Sequence, residues 1–91
     1  MKALIVDDND IARTTLAHLA KQVPNLTIEK EFNNAIEAYT HLQSNHVDLI
    51  FLDIQMPELS GINFMKIVGD KLKYILTTAY SEYALEGYEH N

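Results

Sequence analysis

The chain contains no cysteine, which removes disulfide frameworks and thiolate metal sites from consideration. Positive charge is scarce: seven Lys and Arg stand against thirteen Asp and Glu, for a net charge of −6. The basic residues are also scattered, so the clustered surface that phosphate backbones require is missing, and direct nucleic-acid binding by this segment is not expected. No apolar stretch approaches the length of a membrane span, so no membrane association is expected. The opening MKALIV is cut off by Asp7 and Asp8 before it reaches the length of a signal-peptide core. There is no repeat, no low-complexity tract and no Gly-rich phosphate loop after any apolar run. Four histidines (His18, His41, His46 and His90) show no metal-ligand spacing. These absences leave a soluble, single-domain protein, expected in the cytoplasm.

What is present is an alternation. At 47% apolar and 22% charged residues, the 91-residue chain has an ordinary globular balance and room for one small domain. Ala3 to Val6 is short and continuously apolar, as a strand covered on both faces would be. Ile11, Thr15 and Leu16, Leu19 and Val23 then recur at helical spacing, with Asn9 or Asp10 as N-cap and Pro24 as the stop. Leu26 to Phe32 alternates apolar and polar residues, which predicts a less buried edge strand. Asn34 with Glu37 resembles a capping box for a helix that turns Ile36, Tyr39 and Leu42 inward. Val47 to Leu52 is the most apolar run and the expected central strand. Gly61 to Val68 reads as a short helix with Ile62, Met65 and Val68 inward, ended by Gly69. Tyr74 to Thr77 is a further short strand, and Ser81 is positioned to cap a last helix.

Strands that alternate with helices imply a parallel sheet with right-handed crossovers and helices on both faces. In such sheets functional groups gather beyond the carboxyl ends of the strands, at a topological switch point. Three carboxylates fall there: Asp7 and Asp8 after the first strand, and Asp53 at the end of the third. Asp48 begins the third strand and belongs to the opposite end. A single Asp after a strand is most often a turn former or a cap, and Asp10 is assigned that role. Three acids converging from neighbouring strands are another matter, because they must shift their pKa values or take up a cation. A hard divalent cation such as Mg²⁺ suits oxygen donors that leave room for a phosphoryl oxygen. Thr77 and Thr78 end the fourth strand at the same edge, where a hydroxyl can donate to a bound oxyanion.

The stretches LIVDDND, DLIFLDIQMPELSG and YILTTAYSEYAL resemble the receiver domain of two-component response regulators, of the CheY-like superfamily. The third stretch is most similar to receivers that precede a LytTR-type DNA-binding domain. The resemblance runs from Lys2 to about Tyr88. It implies a flavodoxin-like, doubly wound parallel α/β sheet and a phosphoacceptor signalling role rather than a turnover enzyme. Asp53 resembles the phosphoacceptor that takes a phosphoryl group from a sensor histidine kinase. Asp8 resembles the direct Mg²⁺ ligand and Asp7 the acid acting mainly through water, with the backbone carbonyl of Gln55 completing the protein ligands. Thr78 resembles the switch hydroxyl, and Pro57 and Gly61 resemble the residues that shape the loop behind the acceptor.

The family's fold has five strands in the order 2-1-3-4-5 and five helices, with a Lys ending strand five and an aromatic switch residue before it. Neither has a counterpart here, since Lys71 and Lys73 precede the fourth strand. Residues 1–91 are therefore expected to form an incomplete receiver of about four strands and four helices, order 2-1-3-4. The exposed strand 74–77 and the uncovered sheet face are then expected to drive a homo-dimer or a swapped oligomer. For Tyr80, Tyr83 and Tyr88, simple packing and a partner-binding face on the last helix are about equally expected from the residues, and the resemblance favours the partner-binding face. Two rival functions remain. An Mg²⁺-dependent aspartyl-phosphate phosphohydrolase would need a second acid two residues after Asp53, where this chain has Gln55. A pseudo-receiver would serve only as a protein-binding module.

Overall fold

The computed structural model describes residues 1–56 and 59–77. Seven elements follow in order: β1 (Lys2–Val6), α1 (Asp10–Ala20), β2 (Thr27–Phe32), α2 (Ala35–Leu42), β3 (Leu49–Asp53), α3 (Gly61–Val68) and β4 (Lys73–Thr77). The strands form one parallel sheet in the order β2-β1-β3-β4. The flavodoxin-like arrangement and the strand order are those expected from the sequence. The anticipated last helix, with Tyr80, Tyr83 and Tyr88, lies outside the described residues, as do Pro57 and Thr78. No helix among the described residues is long and apolar enough to cross a membrane.

Strand alternation divides the sheet's side chains between two faces. Leu4 and Val6 of β1, Ile50 and Leu52 of β3, and Phe32 of β2 join Ala35, Ala38, Val47, Met56 and Phe64 in one core beneath α2 and α3. Tyr74 and Leu76 of β4 pack against the same cluster from its border. The Tyr74 hydroxyl donates to the Gly69 carbonyl at 2.6 Å and so ties β4 to the end of α3. On the other face, α1 contacts β1 and β2. Phe51 is half-buried on that side, and Ile75 is 46% exposed.

The helix boundaries have local causes. The Asn9 side chain accepts from the Ala12 N–H at 2.9 Å, so Asn9 rather than Asp10 caps α1. That helix ends at Ala20, earlier than Pro24 would require, and Val23 lies in the following turn. Asn25 there adopts φ 66°, a left-handed conformation that Asn tolerates better than most side chains. Asn34 caps α2 through the Glu37 N–H at 2.8 Å. The Glu37 carboxylate meets the Asn34 side-chain amide, so the box closes through side chains instead of the backbone. Gly69 closes α3 at φ 85°.

Two helix faces differ from the apolar stripes expected. Ile11 is 78% exposed and Leu19 55%, while Ala20 is the buried residue of α1. In α2, Ile36 and Tyr39 face outward and Ala35 and Ala38 are buried. Small side chains let a short helix lie close against a sheet whose own residues fill the space, so alanine takes the inward positions. In α3 Met65 and Val68 do border the core, but the wholly buried residue is Phe64.

Candidate functional site

Chain geometry carries the acids to one point. β1 ends at Val6, and the Asp7 N–H continues its ladder by donating to the Phe32 carbonyl at 3.0 Å. The Asp7 carboxylate turns back to accept from the Asn9 N–H at 2.9 Å, a tight Asx turn that leads straight into the α1 cap. Asp53 is the last residue of β3, and its carboxylate accepts from the Gln55 N–H at 3.1 Å. Because β1 and β3 are paired neighbours, the two strand ends open side by side. Carboxylate oxygens of Asp7, Asp8 and Asp53 all lie within 4.8 Å of one another. Asp7 is 7% exposed, Asp53 9%, and Asp8 lies open to solvent at the rim.

The electrostatics follow from that crowding. Burial pushes the Asp53 carboxyl up to about 7, with the negative charges of Asp7 and Asp8 adding to the rise and the Gln55 N–H opposing it. A carboxyl at the end of an apolar strand, facing two other acids, is costly to ionise alone. Hard oxygen donors converging from three side chains fit a divalent cation of the Mg²⁺ type, which relieves the repulsion directly.

The connection from β3 to α3 is built to keep this end fixed. Ile54 and Met56 are buried on either side of exposed Gln55 and anchor the loop into the core. The Gly61 N–H donates to the Ile54 carbonyl at 2.9 Å, and Ser60 caps α3 through the Asn63 N–H at 3.2 Å. A Cβ on Gly61 would stand 2.5 Å from the Asp53 carbonyl oxygen and 2.8 Å from the Ile54 Cα. Gly61 is thus required for close approach and not for an unusual φ, since the positive-φ glycine among the described residues is Gly69.

Of the sequence-derived site residues, Asp7, Asp8 and Asp53 are brought together. Gln55 lies two residues after Asp53, and its N–H donates to the Asp53 carboxylate. Thr77 is paired with Asp53 in register, and Thr78 lies just outside the described residues. Arg13 escaped sequence reasoning: its Nη1 donates to the Asp7 carbonyl at 2.7 Å. Its position in the first turns of α1, beside an acid pair, is the signal that could have revealed it. His41 contacts Glu29 at 3.0 Å and the Phe32 ring, and His46 contacts Asp48 at 3.3 Å. A groove of about 650 Å³ lies at the other end of the fold, lined by Tyr39, Leu42, Val47, Ile67 and Leu72 among others, away from the acids.

Comparison with known proteins follows the same lines. The family model described as the response regulator receiver domain matches residues 3–91. An uncharacterized response regulatory protein of Vibrio cholerae is 34% identical over 93 residues. The transcriptional regulatory protein BtsR of Salmonella typhimurium is also 34% identical over 93 residues. The whole chain aligns in both cases but spans only 39% of each relative's length. Among solved structures, the response regulatory domain of mrkE from Klebsiella pneumoniae superimposes with a TM-score of 0.87 at 33% identity. That match covers 98% of this chain and 75% of the other.

Proposed function

The chain belongs to the response regulator receiver domain family, and from that premise we propose that it is a phosphoacceptor with Asp53 as the acceptor. The donor in this reading is a phosphohistidine on a sensor histidine kinase. An Asp53 carboxylate oxygen attacks phosphorus in line, the P–N bond breaks, and its electron pair stays on the imidazole nitrogen, which takes up a proton. The product is an acyl phosphate on Asp53. A carboxylate is a weak nucleophile toward an anion, so positioning and charge neutralisation must supply most of the acceleration.

The remaining roles are those that the family resemblance implies. Asp8 and Asp53 would hold Mg²⁺ with the Gln55 backbone carbonyl, and Asp7 would act mainly through water. When bound, Mg²⁺ neutralises the acids and the incoming phosphoryl oxygens. Asp7, buried and fixed by the Asn9 N–H, places a carboxyl group at the floor of the pocket. Ile54 and Met56 hold the loop that exposes Gln55. Thr78, next after the residue registered against Asp53, is the proposed switch hydroxyl. The observation that carries the reading is the convergence of two buried strand-end acids and Asp8 within 4.8 Å.

Incubation with acetyl phosphate and Mg²⁺ should add one phosphoryl group by mass, and neither Asp53→Asn nor protein treated with EDTA should gain it. Absence of any gain in the wild-type chain would instead leave a pseudo-receiver that works by binding alone. Steady turnover of a phosphate ester, lost in Asp53→Asn, would identify a phosphohydrolase.

We also propose that the β4 edge and the Phe51–Ile75 face, as the described residues leave them, invite a second copy, giving a homo-dimer or swapped oligomer. Light scattering coupled to size exclusion should report a species larger than the monomer at tens of micromolar. A DNA-binding output unit of the LytTR type and a cytoplasmic setting complete the proposal; the acidic receiver segment itself would not touch nucleic acid.

A further inference from the structure

We infer that Arg13 is a positioning residue for the acid pocket, acting through the backbone between Asp7 and Asp8; the inference rests on the proposed cation-binding role of that pocket. The connection from β1 to α1 is only three residues long, Asp7 to Asn9. Within it, Asp7 has every polar group engaged. Its N–H donates to the Phe32 carbonyl at 3.0 Å, its carboxylate accepts from the Asn9 N–H at 2.9 Å, and its carbonyl accepts from Arg13 Nη1 at 2.7 Å. The last of these decides where Asp8 sits. A peptide unit is planar, so holding the Asp7 carbonyl oxygen also fixes the N and Cα of Asp8. Asp8 is the exposed member of the acid group, so surrounding side chains do not clamp it as they clamp Asp7 and Asp53.

The guanidinium is itself held in place. Its side chain is 17% exposed, its Nη2 pairs with the Asp10 carboxylate, and its Nε lies 3.7 Å from Glu31 of β2. One side chain of α1 thereby links the start of its own helix, the acid loop and the edge strand. The rigid fork of arginine can meet three acceptors at once, whereas lysine offers a single point charge. Two roles for this cation have opposite signatures. A simple counter-charge beside three acids would weaken cation binding, so its removal would tighten it. A positioning group would strengthen cation binding by holding Asp8 in place, so its removal would loosen it.

The test is Mg²⁺ titration of the full chain by calorimetry for wild type, Arg13→Met, Arg13→Lys and Asp8→Asn. The Met variant keeps length and loses charge, and it is expected to bind about 10-fold more weakly or worse. The Lys variant keeps the charge but not the fork and should fall between that value and wild type. Unchanged or tighter binding in Arg13→Met, with Asp8→Asn still impaired, would overturn the inference and leave the pocket reading intact. Equal binding, or none, in wild type and Asp8→Asn would remove the pocket reading and this inference with it. If Arg13→Met does not fold by circular dichroism, Arg13→Lys decides: weakened binding supports positioning, and wild-type binding overturns it. A second readout needs no cation. In metal-free ¹⁵N spectra, Arg13→Lys should shift the amides of Asp8 and Asn9 and leave those of β4 in place; unmoved Asp8 and Asn9 amides would also overturn it.

Discussion

Asp48 and Asp53 flank the same short strand, β3, and the fold treats them in opposite ways. Asp48, at the amino end, is partly exposed and accepts from the Lys2 N–H at 2.9 Å, while its own N–H donates to the Lys2 carbonyl at 2.9 Å. The Lys2 N–H holds its carboxyl below the usual carboxylate range, desolvation opposes this, and His46 adds to the lowering. Asp53, at the carboxyl end, is buried among two further acids and is pushed up to about 7. The first acid ties strands together. The second is held where ionisation is unfavourable without a ligand. In one strand the same side chain is favoured as a carboxylate at one end and disfavoured at the other, and the partners available at each end make the difference.

That contrast can be broken or sharpened experimentally. The largest stability effect is expected for Gly61→Ala, because its Cβ would meet the Asp53 carbonyl oxygen at 2.5 Å. Backbone atoms cannot move aside cheaply, so a loss of about 2–4 kcal/mol is expected by chemical denaturation. A neutral result would show that the acid end of β3 is less tightly built than its geometry indicates.

Next comes Asp53→Asn in metal-free buffer. An unfolded Asp53 loses its proton near 3.8 and the folded one near 7, so between these values the folded state binds more protons. Stability therefore falls as pH rises through that window. Asn removes this penalty. It should stabilise the chain on the order of 1–3 kcal/mol above pH 7 and have little effect below pH 4. Destabilisation at pH 7.5 would remove the contrast between the two ends.

The same raised value would give the proposed Mg²⁺ binding a pH dependence. The cation needs the ionised carboxylate, so affinity should rise several-fold between pH 6 and pH 8 and release protons that calorimetry in buffers of different ionisation enthalpy can count. A flat profile would mean that Asp53 is already ionised at pH 6.

The smallest effect is expected for Asp48→Asn, a fall of a few degrees in Tm at neutral pH. The Asp48 contribution is present above the carboxylate's unfolded value and is lost as pH falls below it, so the difference from wild type should vanish in acid. Asp48 and Asp53 variants should thus move stability in opposite directions at neutral pH.

The strands and the three acids were legible because burial on both faces writes a continuous apolar run and the chain breaks that run abruptly with Asp, while the strand order came with the family resemblance. The helix faces were not. Ile11 and Leu19 form a clear periodic stripe on α1, yet the stripe points away from the sheet and Ala20 points in. Periodicity reports that a helix has an apolar face, and the close approach to a filled sheet decides which face is covered. Phe64 was missed for a related reason: counting from Ile62 picks out Met65, whereas the core is deepest one residue earlier. Arg13 acts on a backbone atom, the Asp7 carbonyl, which a side-chain pattern does not display, and Gly61, singled out in the sequence as a loop-shaping residue, owes its place to close approach against the Asp53 carbonyl.

The two edges of the sheet also differ. Pairing between β1 and β2 skips from Ile28 to Lys30, so Glu29 bulges out of register and reaches His41. This irregular edge, with Glu29, Lys30 and Glu31 in succession, is a poor template for another strand. Among the described strands, the opposite edge is β4, with Tyr74, Ile75 and Leu76 in sequence. In the dimer proposed above, the β4 edges would meet and the β2 edges would face outward. Two copies joined at β4 would present a blocked edge at each outer end, so association through the sheet would close as a pair and not continue into a fibre.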